Sequence, residues 1–347
     1  MNPRCAIVVA LICLAAFPGT AAAHGPPAPV ATSYVARVSR VPAGLNARVV
    51  NGDLRMWLRV PESVTLVVID YRGAPYLRFS RSGVQVNENS SMYYLNQTPI
   101  PAVPPSGLDR TTPAHWQQVS SGHAYGWHDG RLQALATVAL SPGARYVGRW
   151  SIPLRIDGRP TSISGGVWYR PNPSIVWFWP IVVLLGCVLA AWRISRPALD
   201  ACLARLLGIA ALLGAAAAGG ARELYGRPNV PASHLVEVAA LLAFVAWGLR
   251  QVLIRRPEYL SFFVISLVAL WEGVELIPTL THGFALTAVP AFVARASAVL
   301  CLGSGTSLLL FVFRLVCRST EPTSQPVADA TDRGRPDPVA RLTAPGG

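Results

Sequence analysis

Residues 174–192, SIVWFWPIVVLLGCVLAAW, run without one charged side chain. At about 1.5 Å of rise per residue, a helix of that length crosses the roughly 30 Å hydrocarbon core of a bilayer. Trp177 and Trp179 stand at its start, where aromatic rings mark a membrane interface, and Arg193 and Arg196 close its end. Ahead of this run the sequence alternates as sheets do; behind it nearly everything is apolar. A chain of 347 residues, 52% hydrophobic and 14% charged, fits one water-soluble part joined to one lipid-embedded part.

The basic residues number 30, all of them Arg. Without Lys the chain has neither a Walker A loop nor a Schiff-base amine. The net charge of +13 would suit acidic lipid headgroups or nucleic acid; compositional bias accounts for it more simply, and no nucleic-acid partner is expected. The six Cys (Cys5, Cys13, Cys187, Cys202, Cys301 and Cys317) avoid the stretch between His24 and Pro173 and form no CxxC pair. That stretch therefore has no disulfide staple, and a thiolate zinc centre is not expected.

Four segments follow. Residues 1–23 read as a secretory signal: Arg4 is the positive start, residues 6–17 the apolar centre, and Thr20 to Ala23 the small-residue cleavage site. Cleavage there makes His24 the new N-terminus. Residues 24–173 form an extracytoplasmic all-β sandwich of immunoglobulin-like size. Short β-branched runs at 45–50, 54–60, 63–71, 76–79, 92–96, 146–156 and 162–169 read as strands, after a first one near Val35. Asn51-Gly52-Asp53, Arg72-Gly73, Ser82-Gly83 and Asp157-Gly158 read as turns. Residues 174–318 form an α-helical membrane domain of five transmembrane helices, at 174–192, 202–220, 234–253, 260–280 and 288–313. The second is rich in Ala and Gly and suits close helix packing. Residues 319–347, rich in Pro, Thr and Asp, read as a disordered cytoplasmic tail.

Arginine places the loops. Arg193, Arg196, Arg205, Arg250, Arg255, Arg256, Arg314 and Arg318 fall at one set of helix ends; the alternate loops hold only Arg222 and Arg227. The Arg-rich ends should face the cytoplasm of a multi-pass plasma-membrane protein, with the sandwich outside.

Two groups could carry chemistry. One is a set of ionisable residues in the outer half of the membrane domain: His234, Glu237, Glu272, Glu275, His282 and Arg295. Glu272 and Glu275 share a helix face, as do His234 and Glu237. Such residues pair or line a wet cavity, so the group reads as proton- or metal-handling, or as a Glu275–Arg295 pair that fixes packing. The other is His24, His123, His128 and Asp129, with His115 nearby. An N-terminal amine plus imidazoles would take Cu(II), making copper the cofactor; the plainer reading is surface histidines and a Pro-rich tail. Neither a GxSxG elbow nor an HExxH helix occurs, so no enzyme is expected.

The segments Gly73-Ala74-Pro75-Tyr76-Leu77-Arg78, Gly83-Val84, Asn87, Tyr94-Leu95-Asn96 and Trp127-His128-Asp129 with Arg131 resemble a family of uncharacterised actinobacterial membrane proteins. Its members have a signal peptide, a β-rich exported domain and C-terminal spans. The family motif Trp-His-Asp-His-Arg-x-His-Trp-Met implies a histidine-rich site; here Gly130 and Gln133 stand where the family has His. The resemblance implies no activity. The sequence as a whole thus describes an envelope protein whose outer β domain binds a partner or ligand above the lipid bilayer, with copper or proton handling as the alternative.

Overall fold

The computed structural model describes residues 29–97, 101–133, 144–194, 196–226, 232–254 and 259–319. The signal segment, His24 and all of the expected tail beyond Ser319 lie outside them. A β-rich N-terminal part comes first, and helices follow.

Alternation builds the sheets. In β4 (Arg55–Arg59) Met56 and Leu58 are buried while Arg55 and Arg59 are exposed. In β10 (Tyr146–Ile156) Trp150, Ile152 and Leu154 are buried while Arg149, Ser151, Pro153 and Arg155 are exposed. The other strands are β1 (Ala31–Thr32), β2 (Tyr34–Arg40), β3 (Asn46–Val50), β5 (Leu66–Ile69), β6 (Pro75–Ser80), β7 (Gly83–Asn87), β8 (Trp116–Ser120), β9 (Ala124–His128), β11 (Arg159–Tyr169) and β12 (Phe284–Ala285). They make a seven-stranded sheet in the order β2-β11-β10-β5-β6-β7-β8, a three-stranded sheet β3-β4-β9, and the pair β1-β12. Met56, Leu58 and Trp127 of the small sheet share one hydrophobic cluster with Leu66, Leu77, Phe79 and Ile152 of the large one. Each such side chain contributes about 2 kcal/mol by leaving water.

The expected turns at Asn51-Gly52 and Asp157-Gly158 are present, with φ of 57° and 78°, and of 47° and 82°. At Asp157-Gly158, where Ile156 pairs with Arg159, two positive φ angles in succession are what a two-residue hairpin turn requires; Asn51-Gly52 opens a four-residue loop between the paired Val50 and Arg55. Residues 92–96, expected as a strand, are instead helical: α1 spans Ser91–Leu95. The Ser90 hydroxyl accepts from the Met92 N–H at 3.3 Å and caps it, which outweighs the strand preference of Tyr93 and Tyr94.

The helices are α2 (Trp179–Ile194), α3 (Pro197–Glu223), α4 (Ala232–Leu253), α5 (Tyr259–Glu275), α6 (Ile277–Thr281) and α7 (Ala291–Ser319). Three of them are long and apolar enough to cross a membrane, at Ala198–Glu223, Ala232–Leu253 and Ala291–Val316, which marks a membrane protein. A shorter apolar helix covers Ile175–Ala191. The span expected at 260–280 is divided: α5 stops at Glu275, and Pro278 in the first turn of α6 has no N–H to continue the ladder. Glycine lets the helices close up. A Cβ on Gly214 of α3 or Gly273 of α5 would stand 3.0 Å from Cys301 of α7.

The sheets are fixed to one end of the helices. Ala31 and Thr32 of β1 pair with Ala285 and Phe284 of β12, which lies in the link between α6 and α7. The Leu286 N–H donates to the Val30 carbonyl at 2.8 Å. A side chain on Gly283 would collide with the Arg170 and Pro171 carbonyls. Val30 packs among Ala215, Ala218, Leu276 and Leu280.

Candidate functional site

At the sheet-facing ends of the helices, one guanidinium serves three carboxylates. Arg222, in the last turn of α3, reaches Glu223 at 2.5 Å, Glu272 at 3.5 Å and Glu275 at 3.8 Å. The other oxygen of Glu223 meets His234 Nδ1, in the first turn of α4, at 2.7 Å. α5 places its two Glu three residues apart, so both face Arg222. The Glu272 side chain is 8% exposed, and its Oε2 is buried without a hydrogen-bond partner. Gly219, one turn before Glu223, leaves the space beside that oxygen: a Cβ there would stand 3.6 Å from Oε2 and collide with Leu241.

The expected polar set is therefore split. Glu272, Glu275 and His234 come together, with Arg222 and Glu223 added. Glu237, one turn beyond His234, is exposed. His282 and Arg295 make a second group: Arg295 donates to the carbonyls of Thr279 at 2.9 Å, Gly283 at 3.2 Å and His282 at 3.5 Å. His282 Nδ1 lies 3.0 Å from the Thr281 hydroxyl. The expected Glu275–Arg295 pair is replaced by Glu275–Arg222, because Arg295 is held by the carbonyls of Thr279, His282 and Gly283 in and after the short helix α6. Arg222 and Glu223 escape sequence reading because the cluster is built from three helices and has no single spacing. A charged dipeptide closing an Ala- and Gly-rich apolar run is the one signal that marks them.

Among the described residues, His123 does not converge with His128 and Asp129. His123 precedes β9 and sits 3.8 Å from Glu62, in an open recess of about 610 Å³ shared with Asn46 and Arg59. His128 and Asp129 lie at the other end of β9, about 15–20 Å away along the strand. Asp129 is fully buried and already engaged. It accepts from Trp127 Nε1 at 3.0 Å and from Arg131 at 2.8 and 2.7 Å. Beside it, burial and then the Asp129 carboxylate push the Tyr71 hydroxyl up to about 12, so it stays protonated. Burial and then Arg55 lower the His128 imidazole below its ordinary value, which keeps it neutral at pH 7. His115 is held by Glu88 at 2.6 Å. Among the described residues, no group of three or more His, Cys, Asp or Glu is arranged to hold a metal ion.

Three carboxylates thus share one guanidinium and one imidazole in a poorly solvated place. No protein-family model, curated protein or solved structure matches this chain.

Proposed function

We propose that this chain is a non-enzymatic, multi-pass protein of the cell envelope. Its β part, a sandwich of immunoglobulin-like size, stands outside the plasma membrane and binds a partner or ligand there. Five helices cross the bilayer in this reading, with α2 and α5 joining the three longer ones, and the likeness to the actinobacterial family belongs to it too. The observation that carries it is the fixed seat of the sheets on the helix ends, through β1–β12 and the Val30 contacts. A domain so held presents its surface at a set distance and angle from the lipid. The orientation draws support from Arg314, which donates to Asp200 at 3.2 Å and to the Ala191 carbonyl at 3.0 Å. That gathers the Arg-rich ends of α2, α3 and α7 on the side away from the sheets. A reporter inserted at residue 108 should be active outside the cell, and one fused at residue 319 should be active in the cytosol. The reverse result would end this reading.

A second reading rests on the unpartnered Glu272 oxygen beside Gly219. Here the Arg222 cluster handles protons at the outer side of the membrane. Proteoliposomes carrying the protein should show a pH-gradient-driven proton flux that Glu272→Gln with Glu275→Gln abolishes. Equal flux in that variant would remove this reading.

A further inference from the structure

The seven-stranded sheet has an unusual charge pattern. Its strands carry two Arg in β2, one in β6, two in β10 and one in β11, and not one Asp or Glu. The carboxylates that directly follow β5, β7 and β10 are occupied: Asp70 accepts from the Arg72 and Ala74 N–H groups at 2.8 Å, Glu88 holds His115, and Asp157 accepts from the Thr65 N–H at 3.0 Å. Register puts four of the arginines in one stripe on the face turned away from the core. Arg37 and Arg149 both align with Gly166 of β11, and Arg155 and Arg78 both align with Val67 of β5. Neighbouring strands lie about 4.8 Å apart and residues rise about 3.3 Å, so the stripe steps about 10 Å, 20 Å and 10 Å across five strands. Indole rings flank both ends: Arg37 lies over Trp168 at 5.9 Å, and Arg78 over Trp116 at 4.5 Å. Gly166 makes room for this, since a Cβ there would stand 2.8 Å from Trp168 and 2.9 Å from Tyr146.

We propose that this stripe binds an acidic polysaccharide, an extended sugar chain carrying carboxylate or phosphate groups. The inference rests on the reading of the β part as an outer binding domain and names its ligand class. Guanidinium forks take carboxylate or phosphate oxygens in pairs. Stacking on indole holds Arg37 and Arg78 in place before the ligand arrives, and Arg78 is braced further by Nε and Nη2, which donate to Gln85 Oε1 at 2.8 and 2.5 Å. Arg155 and Arg78 lie about 30 Å along the strands from the point where β11 meets the helices, a reach that suits a long polymer rather than headgroups.

The test uses the full-length protein in nanodiscs of zwitterionic lipid. The probe is a fluorescent oligogalacturonate of about twelve units, long enough for a stripe of about 40 Å. Binding should weaken with salt, and a neutral oligoglucan of the same length should not bind. Arg149→Gln with Arg155→Gln should raise Kd about tenfold or more, and each single change about threefold. Both side chains are exposed, so the fold should survive; Arg78→Gln, at the far end of the stripe, gives an independent variant with the same expectation. Unchanged affinity in these variants would overturn the inference, as would equal binding of the neutral oligomer, or equal or tighter binding of a single-stranded DNA of matched charge. So would anionic vesicles that compete fully for the site. A partner cross-linked to the three-stranded sheet, and retained by the arginine variants, would overturn the inference while leaving the outer-domain reading intact.

Discussion

Two buried carboxylates, Asp70 in the sheets and Glu272 in the helices, meet their surroundings in opposite ways. Asp70 is 3% exposed and takes hydrogen bonds from the Arg72 and Ala74 N–H groups, both at 2.8 Å, and from the Ser90 and Ser91 hydroxyls at 2.9 and 3.1 Å. Its donors are neutral, come from the turn after β5 and from the start of α1, and suffice for both oxygens. Glu272 is 6% exposed, shares one distant guanidinium with two other carboxylates, and leaves an oxygen bare. Turns and caps supply spare N–H groups where the chain reverses, whereas the interior of a helix has none to give. A carboxylate among turns can therefore be a strut. The same group among apolar helices remains short of donors.

That contrast can be broken in three places. The largest effect is expected from Asp70→Ala, which strands three N–H groups and two hydroxyls: full-length protein in detergent should lose about 3 kcal/mol of stability in chemical unfolding followed by Trp fluorescence. A loss below about 1 kcal/mol would show that water replaces the carboxylate readily and that Asp70 is no strut. Second comes Asp53, whose carboxyl burial raises from an ordinary 3.8 to about 6. A raised carboxyl favours the protonated fold, so its contribution is complete below pH 3.8 and fades as pH climbs through about 6. Asp53→Asn should remove that fade, on the order of 2 kcal/mol between pH 4 and pH 8. Parallel pH profiles for the two proteins would contradict the assignment. The smallest effect is expected from Glu272→Gln, which removes a charge that lacks donors: stability should stay within about 1 kcal/mol of the parent. A loss like that of Asp70→Ala would make the two carboxylates alike.

How much of this was legible beforehand follows from the range of the forces involved. Alternation exposed β4, β10 and β11 because half-buried strands repeat every two residues. It missed β7, since Gly83 reads as the end of a turn; there, at φ +107°, a side chain would collide with the Ser120 carbonyl of β8. That contact joins residues far apart in sequence and leaves no local trace. The helices were visible as apolar runs, yet the break at Leu276 turned on one Pro inside a run that hydropathy alone carries through. Of the site, the pairing of Glu272 with Glu275 was legible from spacing. Their common partner was not, because Arg222 arrives from another helix. Asp129 stood out beside Trp127 and His128, but it serves the Trp127–Asp129–Arg131 brace, which spacing cannot separate from a ligand set.

The pairing of β1 with β12 also sets an order of assembly. Ala31 and Ala285 are about 250 residues apart, so the strand made first waits for nearly the whole chain before its mate is synthesised. Until then the two larger sheets must persist on their own core, and α7, which packs against α3 and α5, is made later still. Closure of this short ribbon is thus a late step in biogenesis, and a ribosome halted before Phe284 has made neither β12 nor the helix that completes the apolar bundle.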